Sequence, residues 1–153
     1  MSRTILIQPV LASMAPTLTE LHAESFGVEC WNLAQMEGSL ELATTRAWAA
    51  SEGDAVTGFI LCQIIPKQIE ILTFCVSPTR RQQGIGAALL RRAIAAMREQ
   101  SGGKVFLEVA ADNNAARKLY EDHGFTIIGK RANYYKRGAV TVDGLMYAVR
   151  VDI

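Results

Sequence analysis

Arg80-Arg81-Gln82-Gln83-Gly84-Ile85-Gly86 is the stretch on which the reading of this chain turns. It stands between an apolar strand-like run, Gln68 to Val76, and a long amphipathic helix pattern. In that pattern Ile85, Leu89, Leu90, Ala93, Ile94 and Met97 recur at helical spacing, and Gly102-Gly103 ends it. Two glycines let the backbone turn tightly and approach a ligand closely. The free N–H groups of a helix start, at the positive end of its dipole, favour an anion. Arg80 and Arg81 add charge beside them, so the segment predicts a phosphate or pyrophosphate cradle. It is not a dinucleotide fingerprint, because Leu89 stands at the third glycine position, and it lacks the Lys-Ser/Thr pair of a Walker A loop. On these residues alone, a glycine turn with a solvated basic pair is the competing reading.

Upstream, Arg3 to Val10 reads as a strand ended by Pro9. Pro16 and Thr17 open a helix that carries Leu18, Leu21, His22 and Phe26 toward a core and stops at Gly27. Cys30 to Gly38 fits either a loop or a short helix. Leu42 to Ala50, Ala55 to Ile65 and Gln68 to Val76 read as strands joined by tight turns at 51–54 and Pro66-Lys67, an antiparallel meander. Downstream, Lys104 to Ala111 is strand-like, Asn114 to His123 helical, Phe125 to Gly129 a short strand and Thr141 to Val151 a final strand. Strands first, then strand and helix in alternation, predict a mixed α/β sheet with helices on its faces.

Composition narrows the classes. The 153 residues are 50% hydrophobic, carry a net charge of +1 and show no linker or repeat, so a single domain over 1–153 is expected. Near-neutral charge predicts neither a nucleic-acid nor a membrane-surface partner. The longest apolar stretch, Gly58 to Ile65, is broken by Gln63 and stopped by Pro66, far short of the ~20 residues a membrane span needs. The N-terminal residues show no signal-peptide pattern. Cys30, Cys62 and Cys75 form no CxxC pair, which suggests a reduced, cytoplasmic protein with neither disulfide framework nor zinc site.

The motif Arg81-x-x-Gly84-x-Gly86 after an apolar strand resembles the acetyl-CoA pyrophosphate motif of the GNAT acetyltransferase superfamily. The block Leu107-Glu108-Val109, followed by Asn113 and Asn114, Ala116, Leu119-Tyr120-Glu121 and Gly124-Phe125, resembles it as well. Within the superfamily the chain is most similar to the RimI type, the N-terminal acetyltransferases of bacterial ribosomal proteins. That similarity rests on His22 to Phe26 with Trp31, Glu70-Ile71-Leu72-Thr73, Asn133-Tyr134-Tyr135 and Asp143-Gly144-Leu145-Met146, and spans roughly residues 3 to 151. The resemblance implies the GNAT fold: a central, mostly antiparallel, splayed sheet with helices on both faces. It implies acetyl-CoA as donor and an acceptor that is the N-terminal peptide of a ribosomal protein, small-subunit protein eighteen. A monomer or weak dimer is expected.

By that resemblance, the amides of Phe74, Cys75 and Val76 face the pantetheine and thioester, and Gln82, Gln83, Gly84, Ile85, Gly86 and Ala87, next to Arg81, wrap the pyrophosphate. Asn113 touches the cofactor. Glu108 matches the general base and Tyr120 the general acid that protonates the departing thiolate. Glu108 shares an alternating face with Phe106 and Ala110, where desolvation would raise its pKa toward working pH. Glu70 is the rival base. By periodicity alone Tyr120 is core and Glu108 an exposed strand residue. Cys75 could form an acyl-enzyme, but no histidine stands at a telling spacing, and free cysteine is commonly a small core residue. His22 and His123 read as packing or helix-end residues. Trp31, Tyr134 and Tyr135 line a peptide groove or plug the core. Lys130, Arg131, Lys136 and Arg137 form a solvated rim or steer an acidic acceptor, and Lys136-Arg137 stands where the pattern often has proline. Two other functions fit the same residues: a GNAT enzyme for a small amine or a lysine side chain, and a non-catalytic CoA-binding adaptor.

Overall fold

Residues 4–152 are described by a computed structural model of the chain. In order they form β1 (Leu6–Pro9), α1 (Ala15–Phe26), α2 (Leu33–Glu41), β2 (Thr45–Glu52), β3 (Ala55–Ile65), β4 (Gln68–Val76), α3 (Ile85–Glu99), β5 (Gly103–Ala110), α4 (Asn114–Asp122), β6 (Thr126–Arg137) and β7 (Val140–Val151). The strands make one sheet in the order β1-β2-β3-β4-β5-β7-β6, antiparallel throughout except at β4–β5. This is the mixed GNAT architecture that the resemblance implied.

Alternation in the strands sorts apolar side chains into two cores. On one face Trp48, Ile60, Cys62, Ile69, Ile71, Val105, Leu107, Val109, Leu145 and Tyr147 pack against α3 and against Tyr120 of α4. On the other, Ala47, Ala49, Phe59, Leu61 and Cys75 pack against Ala15, Leu18 and Leu21 of α1 and Met36 of α2. The second core takes no buried residue from β5, β6 or β7, so that half of the face carries no helix-packed layer.

The feature that places the site is a bulge. Leu61 pairs with Thr73 but Cys62 with Ile71, so Leu72 is an extra residue in β4. A bulge bends the strand and reverses its alternation. Ile69 and Ile71 therefore face the α3 core, while beyond Leu72 it is Phe74 and Val76 that pack there and Cys75 that turns to the α1 side. The parallel pairing with β5 stops just before the bend: Gln68, Ile69 and Glu70 pair with Lys104, Val105 and Phe106, and nothing beyond them does. The two strands then diverge, leaving a wedge between Ile71–Val76 and Leu107–Ala110.

Of the two readings open at 30–38, the helix forms as α2 from Leu33, after a non-helical 30–32: Asn32 accepts from the Gln35 N–H at 2.8 Å and Gln35 reaches back to the Asn32 N–H at 2.9 Å, a capping box legible as N-x-x-Q. Three expectations need correction. The helix carries the chain to Glu41, so β2 starts at Thr45 and not at Leu42. Phe26 is 40% exposed and outside both cores. The short strand at Phe125 to Gly129 is a twelve-residue β6, with Phe125 buried ahead of it. Of the first strand, Arg3 lies outside the described residues, and Leu6–Pro9 pairs with β2.

Gly58 sits where β3 passes the end of β4. A Cβ there would lie 2.9 Å from the Cys75 carbonyl oxygen and 3.3 Å from both Ile85 and Leu89. Gly58→Ala should therefore cost about 1–3 kcal/mol through overpacking, read as a lower urea midpoint. An unchanged midpoint would contradict this close approach.

Candidate functional site

The glycine loop is built as an amide-lined cradle. Gln82 and Gly84 take positive φ of 63° and 85°, and Gly84 is the N-cap of α3. The Ala88 N–H closes onto the Gly84 carbonyl at 3.0 Å, whereas no backbone N–H from Gln82 to Ala87 finds an acceptor among the described residues. Such a run of unsatisfied donors at a helix start is suited to a phosphate. Arg81 folds back, its Nε donating to the Val76 carbonyl at 3.3 Å. Arg80 instead pairs with Glu52 at 3.7 Å, so the two arginines do not act as one solvated pair.

Behind the cradle three elements converge. A Cβ on Gly86 would sit 3.4 Å from Leu119 of α4 and 3.6 Å from Phe74 of β4. The Phe74 ring is 6.4 Å from that of Tyr120, which also packs on Phe125 and Tyr147. Tyr120 is 6% exposed, burial pushes its phenol pKa up, and its hydroxyl has no hydrogen-bond partner among the described residues. It is thus both the core residue that periodicity indicated and a protonated hydroxyl left without a partner. α4 is held by the Tyr147 hydroxyl, which accepts from Arg117 Nε at 3.0 Å and donates to Glu121 at 2.8 Å. Asn113 caps α4 through the Ala116 N–H at 3.2 Å, leaving its own amide NH2 group free of partners.

Glu108 lies on the opposite face of the sheet. Its neighbours Leu107 and Val109 enter the α3 core, so its carboxylate points to the face that lacks a helix layer over β5, and its side chain is 20% exposed. Glu70, paired with Phe106 one strand away, is likewise outside the α3 core and half-buried. Glu108 lies on β5 just past its last pair with β4, whereas Tyr120 is packed in the core on the other face of the sheet.

The expected isolation of Glu108 among apolar neighbours is corrected: its Oε2 is 3.0 Å from Arg131 Nε. The β6 bases read as a solvated rim are mostly engaged too. Lys130 pairs with Asp143 at 3.8 Å, and Arg137 with Glu29 at 3.8 Å and Asp112 at 3.7 Å. A two-residue slip in β6 between Arg131 and Tyr135 brings them there; Asn133 adopts φ 56° and its N–H donates to Asp143 at 2.9 Å. The slip lifts Tyr134 and Tyr135 out of both cores, Tyr134 to 51% exposed, so the core-plug reading fails for this pair. Gly144 is a residue sequence reasoning gave no role. A Cβ there would stand 3.1 Å from Glu108 Oε1 and 3.4 Å from Tyr134, and a glycine inside a strand is the signal that could have flagged it.

On the α1 side, Trp31 is tied to the donor strand through His22. The Trp31 N–H donates to His22 Nδ1 at 3.1 Å, so Nδ1 is the acceptor and Nε2–H donates to Thr73 Oγ1 at 2.9 Å. The imidazole, 3% exposed, stacks between Phe26 and Trp31. His123 is a helix-end residue, its Nδ1 2.8 Å from the Leu119 carbonyl. Burial pushes the Cys75 and Cys62 thiols up to about 12, which keeps both protonated and removes the acyl-cysteine route. Among the described residues no cluster of His, Cys, Asp or Glu could hold a metal ion, and no helix is long and apolar enough to cross a membrane.

The family model described as Acetyltransferase (GNAT) family matches residues 15–125. The chain belongs to the GNAT acetyltransferase family. It is 34% identical over 127 residues to the N-alpha-acetyltransferase RimI of Mycobacterium tuberculosis, covering 80% of this chain and 78% of that one. It is 28% identical over 103 residues to the [ribosomal protein bS18]-alanine N-acetyltransferase of Escherichia coli, covering 67% and 70%. In fold it matches the crystal structure of the Escherichia coli ribosomal-protein-S18-alanine N-acetyltransferase with a TM-score of 0.91 at 21% identity, over 98% and 96% of the two chains. It also matches Arabidopsis thaliana NAA60 in complex with acetyl-CoA, with a TM-score of 0.83 at 21% identity, over 97% and 99%. GNAT membership makes acetyl-CoA the acyl donor, and the amide cradle, the unpaired β4 edge and the free Asn113 amide form a donor set that fits its pyrophosphate and amide-bearing arm.

Burial holds His22 below its ordinary pKa of 6.5. The unfolded chain then binds this proton more readily than the folded one, so stability falls as pH drops below about 6.5. Urea midpoints measured from pH about 7 to about 5.5 should decline more steeply for the wild type than for His22→Gln. Parallel declines would contradict the link.

Proposed function

We propose that this chain is an N-terminal acetyltransferase whose acceptor is the α-amine of a ribosomal protein of the bS18 kind, working in the cytoplasm where that acceptor is made. The relatives' names suggest the acceptor, and one geometric observation supports the chemistry. Where β4 and β5 part, Glu108 stands on β5 just past the last pair, and on the other face Tyr120 packs against Phe74 of the diverging β4 at 6.4 Å between ring centres. A carboxylate on one side and a protonated hydroxyl on the other suit a reaction that removes a proton from an amine and returns one to a leaving group.

Acetyl-CoA supplies an acyl group activated as a thioester. The amides of Gln82 to Ala87 would hold its pyrophosphate, the β4 edge at Phe74, Cys75 and Val76 would pair with its arm, and an amide of that edge would donate to the thioester oxygen. Glu108 takes the proton of the acceptor ammonium, directly or through water. The neutral amine would then attack the thioester carbonyl, and as the C–S bond breaks Tyr120, whose phenol burial keeps protonated, would give its proton to the departing sulfur and recover one from the newly acylated nitrogen. Trp31, Tyr134 and Tyr135 flank the entry as aromatic walls for the first residues of the peptide. Glu70, on the adjacent strand, is the alternative base.

Proton energetics favour an α-amine. With a pKa near 7.7–8.0, roughly a tenth of it is neutral at pH 7, whereas a lysine needs about 3.5 kcal/mol more to deprotonate. A single carboxylate meets the smaller demand of the first more readily than the larger demand of the second.

The test is acetylation of a panel read by mass spectrometry: peptides with free N-termini, N-blocked peptides containing lysine, and polyamines. Modification confined to free N-termini and strongest on the bS18 sequence is expected. Activity only on the blocked peptides or polyamines would move the assignment to a lysine or small-amine enzyme, and donor binding without turnover would favour the adaptor. On the active acceptor, Glu108→Gln should lower kcat/KM by about 10²- to 10⁴-fold, the range for a general base, while acetyl-CoA affinity stays near normal. Full activity of Glu108→Gln with loss in Glu70→Gln would reassign the base.

A further inference from the structure

The Arg131 guanidinium stands where a cation would be expected to bind. Its Nε is 3.0 Å from Glu108 Oε2, and its Cζ lies 4.9 Å from the centre of the Tyr134 ring. Gly144 lets the Glu108 carboxylate and the Tyr134 ring lie together against the strand, since a Cβ there would press on both. A carboxylate, an aromatic face and a strand position without a side chain together compose a site for an ammonium ion. The other cations nearby have their own partners, Lys130 with Asp143 and Arg137 with Glu29 and Asp112.

We infer that Arg131 is a built-in occupant of the acceptor-amine subsite, and that an incoming primary ammonium must displace its guanidinium from Glu108 and Tyr134. The inference rests on the reading of Glu108 as the residue that meets the acceptor amine. Arg131 opens the two-residue slip of β6 and its side chain is 53% exposed, so it has solvent to swing into. An ion pair this exposed is weak and exchanges readily for another cation. While it holds, only the fraction of molecules with the subsite open binds acceptor, and the apparent affinity is reduced by that fraction. An N-blocked peptide without lysine has no primary ammonium and cannot make the exchange. Arg131 thus turns a general carboxylate pocket into one that admits free amines and excludes neutral N-termini. It is a specificity-determining residue and takes no part in the proton transfers.

The test uses the full chain. Arg131→Gln should lower the KM for a free N-terminal peptide about three- to five-fold, the size of a half-exposed ion pair, with the acetyl-CoA KM unchanged, and Arg131→Lys should restore the higher value. A second arm needs no turnover. Methylammonium chloride titrated into protein carrying ring-labelled tyrosine should shift the Tyr134 resonances in Arg131→Gln, far less in the wild type, and not in Arg131→Gln with Glu108→Gln. An unchanged or raised peptide KM, or equal Tyr134 shifts in wild type and Arg131→Gln, would overturn the inference. If the wild type acetylates no peptide, the acceptor assignment fails, and the Tyr134 titration still decides whether Arg131 fills the subsite.

Discussion

The site depends on one extra residue in one strand. Leu72 gives β4 a residue that β3 does not match, and the bend it introduces falls just past the last β4–β5 pair, Glu70 with Phe106. Parallel strands that paired along their whole length would leave no opening through the sheet. Here the backbone groups of β4 beyond the bulge lose their neighbour on the β5 side, and a strand edge with free N–H and C=O groups pairs with whatever extended chain is offered. The same bend reverses the alternation, turning Phe74 toward Tyr120 and Cys75 toward α1. The open β4 edge and the contact of Phe74 with Tyr120 both follow from this single irregularity.

Charge arrangement organises the β6 side of the sheet. β6 pairs with β7 through a two-residue slip that presents alternating bases and aromatic rings, and carboxylates from β5, from the segment after α1 and from the β5–α4 turn answer them. Arg137 spans Glu29 and Asp112 and lies over the Tyr135 ring at 5.4 Å. It stands where the sequence departs from the pattern it otherwise resembles. Its three contacts tie β6 to the segment after α1 and to the β5–α4 turn, so the departure carries a structural consequence.

Much of this was legible in the residues, for identifiable reasons. β3 and β4 were bounded correctly because Gly53, Pro66 and Lys67 punctuate them, and α3 because its apolar period is long and Gly102-Gly103 closes it. The glycine loop could be read as an anion cradle because tight turning and a helix start are local properties. Most of what the residues do not reveal is nonlocal. No pattern in Glu70-Ile71-Leu72-Thr73 reveals that Leu72 is a bulge, since that depends on pairing with Leu61 and Cys62. Nothing near Glu108 announces Arg131, twenty-three positions along and two strands away across β7. Tyr134 and Tyr135 looked equally suited to core or groove, and the slip beginning at Arg131 decides between them. The Asn32 capping box, by contrast, is local: Asn32 with Gln35 three residues on marks the start of α2.

The central claim is that the wedge opened by Leu72 receives the donor. Two-dimensional amide NMR of the uniformly labelled protein, with coenzyme A added stepwise, tests it most directly. The amides of Phe74 to Val76 and of Gln82 to Ala87 should shift together and saturate at one concentration, with those of β1 and the β2–β3 turn unmoved. Shifts confined to the glycine loop, with Phe74 to Val76 unaffected, would contradict the claim.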